Sequence, residues 1–410
     1  MRTEQDLRAA LQEAAARAVD PADIADAVRV RRRRRTHRRH QAALASAVVV
    51  IVVAGGSAVL RGGGGGSTDA GTTAAPTTHA TTASPASAPP SAGPAGPDLR
   101  KFLPARTVWP DAVFTIPAEA PDGSGYSPLT ALSPTELLMI ARTKFSKIDR
   151  LDVYDTGTGE SRVITRMPAS KKDYHQWRFE VGADYIGWYG TMLNGRKGGW
   201  ADFWVAPRAG GAAIKVGEVT GDLSGVSAIG VSSDSFVWSI RPGGVYRMPI
   251  TGGSPEKLAG TDGLWLQSWP WAVDVPPIRI GQVQDRNQSK LVNLETGETR
   301  TIIPPAGVKG LGCSIEWCLG RMGNAVIVMR PDGSGLSRIP VPSSYLLPPL
   351  GSHFAQMSGA VVYDLNTGKK AIVGVRPVGY SWRATSSSPL LSWEAGRGKL
   401  DVLNLLAVDG

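Results

Sequence analysis

A short hairpin recurs along most of the chain, and this repeat restricts the fold more than any other feature. In each copy a strand of alternating apolar residues meets a turn ending in glycine, and a second short strand follows. Six copies are clear, at residues 151–159, 202–211, 245–253, 291–297, 325–335 and 361–368. Each places Asp, Asn or Pro four residues before its glycine, at Asp155, Pro207, Pro249, Asn293, Pro331 and Asp364. Those residue types favour turn entry, and glycine accepts the positive φ that such turns need. Composition agrees, since 49 Gly and 30 Pro suit many short strands and disfavour a helix bundle. The glycines lack the period of three that a collagen requires.

The turn-entry residues are spaced 52, 42, 44, 38 and 33 apart, centred near the length of one four-stranded propeller blade. A seventh strand, 400–405, repeats the pattern 40 residues after Asp364, counting to Asn404, and no outermost strand follows it. At the other end of the domain, 111–117 reads as a strand without a partner. The pattern therefore predicts an all-β, seven-bladed propeller closed by an N-terminal strand that completes the last blade and removes an exposed edge.

Residues 326–339 and 245–258, carrying the Arg-Pro-Asp-Gly-Ser-Gly and Pro-Ile-Thr-Gly-Gly turns, resemble the outer hairpins of TolB-like propellers. The whole layout, a basic tail at 1–41, a charge-free span at 42–60, a Pro/Thr-rich stalk at 61–98 and then the propeller, is similar to single-pass, propeller-bearing membrane proteins of actinobacteria. No Trp-Asp blade signature of the WD40 type is present, and the resemblance carries over no catalytic residues. It implies a propeller used for binding or for catalysis.

The chain before the repeats has a different character. All 28 aromatic residues lie between Phe102 and Trp393, so the first hundred residues cannot build an ordinary core. Residues 1–41 read as a basic helical tail. Arg29, Arg31, Arg32, Arg33, Arg34, Arg35, Arg38 and Arg39 crowd its end. Residues 42–60 contain no charge and, at about 1.5 Å per residue, just span a bilayer core. With only Arg61 beyond them, the positive-inside rule predicts a transmembrane helix with residues 1–41 in the cytoplasm. The alternative is a signal peptide cleaved near Ala58, although its basic region would be unusually long. Residues 61–98 are Gly, Ser, Thr, Pro and Ala, too poor in apolar surface to offset chain entropy, and read as a disordered stalk. Residues 99–410 form the extracytoplasmic domain.

The net charge of +10 suggests nucleic acid until it is divided along the chain. Residues 1–61 hold 12 Lys plus Arg against 6 Asp plus Glu, a surplus of +6, which leaves +4 for the rest. A basic run beside an apolar span is better matched to anionic lipid headgroups than to nucleic acid.

Cys313 and Cys318, the only cysteines, are predicted to pair across the first two strands of the fifth blade. His175 and His353 are the only histidines of the domain, and a lone histidine more often lies at the surface or in a hydrogen-bonded core than in catalysis. No metal, nucleophile or phosphate-loop motif is present, so the sequence points to no catalytic residue, cofactor or metal. A convergent carboxylate pair is not visible to sequence reasoning, which keeps a surface hydrolase or lyase as the alternative. A third reading is transmembrane signalling through residues 1–41, similar to anti-sigma proteins. The leading expectation is a monomeric, non-catalytic propeller that binds a protein or glycan outside the cell. Its candidate rim is Trp265, Trp269 and Trp271, with Arg196 and Lys197 on the loop that lengthens the second blade.

Overall fold

In a computed structural model of the chain, the described residues are 101–143, 147–168, 173–192, 199–277, 285–339, 349–357, 360–374 and 388–408. The expected tail, transmembrane helix and stalk lie outside them. Among the described residues no helix is long and apolar enough to cross a membrane.

After a one-turn helix, α1 (Ala105–Val108), the domain is built from strands in seven antiparallel sheets. The first comprises β2 (Gly125–Ala131), β3 (Glu136–Arg142), β4 (Arg150–Asp155) and β5 (Ser161–Arg166). The second comprises β6 (Tyr174–Val181), β7 (Tyr185–Met192), β8 (Trp200–Pro207) and β9 (Ile214–Thr220). The third follows with β10 (Val226–Val231), β11 (Ser235–Ile240), β12 (Val245–Pro249) and β13 (Glu256–Lys257). The fourth is β14 (Trp265–Ser268), β15 (Trp271–Val273), β16 (Lys290–Asn293) and β17 (Thr299–Thr301). The fifth is β18 (Lys309–Cys313), β19 (Cys318–Met322), β20 (Ala325–Met329) and β21 (Ser337–Ile339). The sixth holds β22 (Phe354–Met357), β23 (Val361–Asp364) and β24 (Lys370–Ile372). The last sheet has the order β1 (Val113–Pro117), β26 (Lys399–Asn404), β25 (Leu390–Gly396). Strand β1 comes from the start of the domain and runs antiparallel to β26, Val113 opposite Leu403 and Ile116 opposite Leu400.

The repeated turn is the same local chemistry three times over. Asp155, Asn293 and Asp364 each end a strand and accept, through Oδ1, two backbone N–H groups of the turn at 2.7–3.2 Å. The glycine four residues on then donates to the backbone carbonyl of the same Asp or Asn. Its φ of +77°, +76° or +73° is one that L side chains adopt only under strain.

Seven apolar clusters hold the sheets face to face, and each is shared by two sheets adjacent in order. Leu138, Ile140 and Leu151 of the first sheet meet Phe179, Ile186 and Trp188 of the second. Ile116, Leu400 and Val402 of the last sheet meet Leu137, Met139 and Tyr154 of the first. The sheets therefore follow one another in a cycle, as the blades of a seven-bladed β-propeller. Side-chain bonds reinforce the packing, for Asn404 Nδ2 in the last sheet donates to the carbonyls of Ser133 and Pro134 in the first.

Candidate functional site

The predicted disulfide is present between the first two strands of the fifth sheet, Cys313 lying opposite Cys318. The tryptophans of the expected rim fall into different environments. Trp265 is buried, and its indole N–H donates to the Arg241 carbonyl at 3.1 Å, so it packs the third sheet against the fourth and offers no rim surface. Trp269 is half-buried beside Gly230 and donates to Glu295 Oε1 at 3.0 Å. Trp271 is half-buried on the opposite strand, with the Arg300 guanidinium 5.0 Å from its ring centre. Arg196 and Lys197, like the arginines of the tail, lie outside the described residues. His353 is buried, bonded to Ser352 Oγ at 2.6 Å and 3.6 Å from Asp364 Oδ1, and belongs to the core.

A different strand concentrates the unusual features. Strand β10 touches both β6 and β14, and these three, the first of their sheets, so lie nearest the propeller axis. Strand β6 carries a bulge between Trp177 and Phe179, which leaves Arg178 as the extra residue with φ +39°. Outside glycine such a conformation costs of order 1 kcal/mol or more and persists only where the surroundings enforce it. Phe179 supplies that enforcement. It is fully buried, stacked on Trp188 at 5.8 Å, and Trp188 stacks in turn on Trp204 at 6.5 Å.

With Phe179 turned toward the first sheet, the alternate positions face the third. His175, Trp177 and Glu180 stand opposite Thr191, Tyr189 and Gly187 on β7. A Cβ at Gly187 would overlap the Val231 side chain of the third sheet, so the glycine permits the close approach of the third sheet opposite Glu180. Trp177 Nε1 donates to Thr191 Oγ1 at 2.8 Å, and the His175 ring lies 6.2 Å from that of Trp177. All three residues of the stripe are half-buried. Met192 lies opposite Tyr174 at the His175 end.

Burial pushes the Glu180 carboxyl up to about 8, and the positive charge of Arg178 only partly opposes it. Burial also raises Tyr189, against the nearby charges of Arg178 and Arg241. Among the described residues neither the Glu180 carboxyl nor the Arg178 guanidinium has a hydrogen-bond or ion-pair partner. The strand thus combines an aromatic face, a carboxyl whose protonated form burial favours, and a guanidinium without a hydrogen-bond or ion-pair partner among the described residues, a set suited to recognition of a polar ligand. Sequence reasoning singled out His175 alone of these residues, because β6 has neither a motif nor a glycine at its bulge.

Elsewhere among the described residues no group of three or more His, Cys, Asp or Glu is placed to hold a metal ion. No protein-family profile matches the chain. No curated protein matches it either. Several solved structures are similar. YCF48 bound to D1 peptide is 10% identical over 71% of this chain and 96% of that one, with a TM-score of 0.42. A chain of the mitotic checkpoint complex is 11% identical over 80% and 98%, with a TM-score of 0.40. A prolyl endopeptidase is 12% identical over 68% of this chain but only 46% of its own, with a TM-score of 0.42. At these values they lend neither a ligand nor an activity to this chain.

Proposed function

We propose that the chain is a membrane-anchored, extracytoplasmic propeller that binds a protein or glycan without transforming it. The observation that carries this reading is the stripe His175, Trp177, Glu180, presented from the axial strand of a ring whose sheets are locked together by seven apolar clusters. A rigid scaffold that holds polar and aromatic groups half-exposed keeps the ordering cost of binding low. The charge-free stretch 42–60 after eight arginines supports the anchor, and anionic lipid headgroups are the partner proposed for those arginines. The layout fits TolB-like, single-pass proteins. Trp269, Trp271 and the Arg196–Lys197 loop are the proposed flanks of the binding surface.

The test is cross-linking of the full chain on intact cells, comparing wild type with Trp177→Ala. Capture of a discrete extracellular ligand by wild type and its loss in the variant are expected. Equal capture by both would sink the axial site, and release of the wild-type chain from membranes by alkaline washing would sink the anchor.

A further inference from the structure

We infer that Arg178 and Glu180 together form a subsite for the carboxylate of a ligand. This rests on the binding reading above and deepens it. The argument begins with the backbone. The bulge takes Arg178 out of the ladder and gives a non-glycine residue a positive φ, yet no described residue receives its guanidinium. Strain at a cation that has no hydrogen-bond or ion-pair partner among the described residues marks a group available to something external. A planar guanidinium is the side chain best shaped to fork onto a carboxylate.

Glu180 completes the subsite. The groups around it are few. Its own strand brings Arg178 and, further back on the same face, His175; β7 brings Gly187 opposite it and then Tyr189, which feels the charges of Arg178 and Arg241; and β10 brings no charged residue. While Glu180 is protonated, the site is net positive and its carboxyl is a hydrogen-bond donor. A ligand carboxylate can then accept from both Arg178 and Glu180. A ligand ammonium would meet the Arg178 guanidinium, and an uncharged ligand would offer it no counter-charge. Once Glu180 ionises, it repels the ligand's charge and competes for Arg178. Affinity should therefore be full at neutral pH and fall as pH rises through about 8.

The experiment uses the full chain in detergent and calorimetric titration with two carboxylate probes from different sources, glucuronate and the peptide acetyl-Gly-Asp-amide. Inorganic phosphate and the peptide's Asn counterpart serve as comparisons. At least one carboxylate probe should bind at pH 6.5 and lose about ten-fold in affinity at pH 9, while the Asn peptide does not bind. Glu180→Gln should bind equally at both pH values. Arg178→Gly, which relieves the positive φ, should fold at least as stably as wild type and lose the probe. Which probe binds tells sugar acid from acidic peptide. Absence of saturable binding by both, tighter binding of phosphate, or a Glu180→Gln variant with the wild-type pH dependence would each overturn the carboxylate subsite. The cross-linking comparison above judges the broader binding reading separately, because it requires no knowledge of ligand charge.

Discussion

Val113 stands opposite Leu403, so the last sheet is completed by a strand from the beginning of the domain. Ile116, three residues on, is fully buried among Leu400, Val402 and Leu137, and the chain just before β1 is tied to the sixth sheet by Ile372 N–H donating to the Leu103 carbonyl at 2.9 Å. The edge of this sheet also carries Thr115, which donates to Asp401 at 2.6 Å, with Arg106 on the same carboxylate at 2.8 Å.

Two substitutions on β1 separate these contributions. Ile116→Asp places a charge in an apolar cluster and should cost about 4 kcal/mol. Thr115→Ala breaks an exposed network and should cost about 1 kcal/mol or less. Urea unfolding of the two variants checks this, and equal losses would mean that β1 is held by its edge bonds and not by its buried face.

The disulfide should be energetically coupled to the neighbouring sheet. Cys313 N–H donates to Gln288 Oε1 at 2.8 Å, and its carbonyl accepts from Gln267 Nε2 at 2.9 Å, so two side chains of the fourth blade grip the bridged residue. Replacing both cysteines by alanine should cost about 2 kcal/mol, and Gln288→Ala about 1 kcal/mol. The combined variant should lose less than the sum, because the amide has less to grip once the bridge is gone. A double-mutant cycle by chemical unfolding that gave strict additivity would show the grip to be independent of the bridge.

Much of this architecture could be read from the sequence because its determinants are local. Asp155, Asn293 and Asp364 fix their turns through atoms within four residues, and that chemistry marks a blade wherever it recurs. The pairing of Cys313 with Cys318 is equally local. The site was not legible for the opposite reason. Whether a tryptophan is core or surface depends on which sheet lies across from it, and Trp265 and Trp177 are alike until Trp265 meets the Arg241 carbonyl and Trp177, left half-buried, meets the Thr191 hydroxyl. Glu180 is one carboxylate among 35 acidic residues until a bulge at Arg178 and a glycine at 187 bring the third sheet close to it.

Two buried aspartates, alike in sequence setting, should respond differently to neutralisation. Tyr126 donates to Asp152 and Tyr174 to Asp202, both at 2.8 Å, linking the first and third strands of their sheets. Asp152 also holds the Arg150 guanidinium at 2.9 Å, whereas burial without such a cation raises the Asp202 carboxyl. Asp152→Asn should therefore leave the buried Arg150 with Asp122, at 2.5 Å, as its remaining carboxylate partner and cost about 2 kcal/mol. Asp202→Asn keeps an acceptor for the Tyr174 hydroxyl and should cost about 1 kcal/mol or less. Thermal unfolding of both variants at pH 7 decides it, and comparable destabilisation would show that Arg150 gains nothing from Asp152.

Glu180 should make the stability of the domain depend on pH in a direction opposite to that of a salt-bridged carboxylate. Its folded value of about 8 lies above the ordinary 4.5, so between these two pH values the folded chain holds a proton that the unfolded chain has released. Stability from this group is complete below about pH 4.5, declines as pH rises through the window and is lost above about pH 8. Glu180→Gln removes the titration and keeps the shape. The melting temperature of the variant relative to wild type should therefore climb from pH 5 to pH 8 and level off beyond. A difference that stays flat across that range would mean that Glu180 is ionised at neutral pH, and the axial strand would then present a compensated charge pair in place of a donor carboxyl beside an unengaged guanidinium.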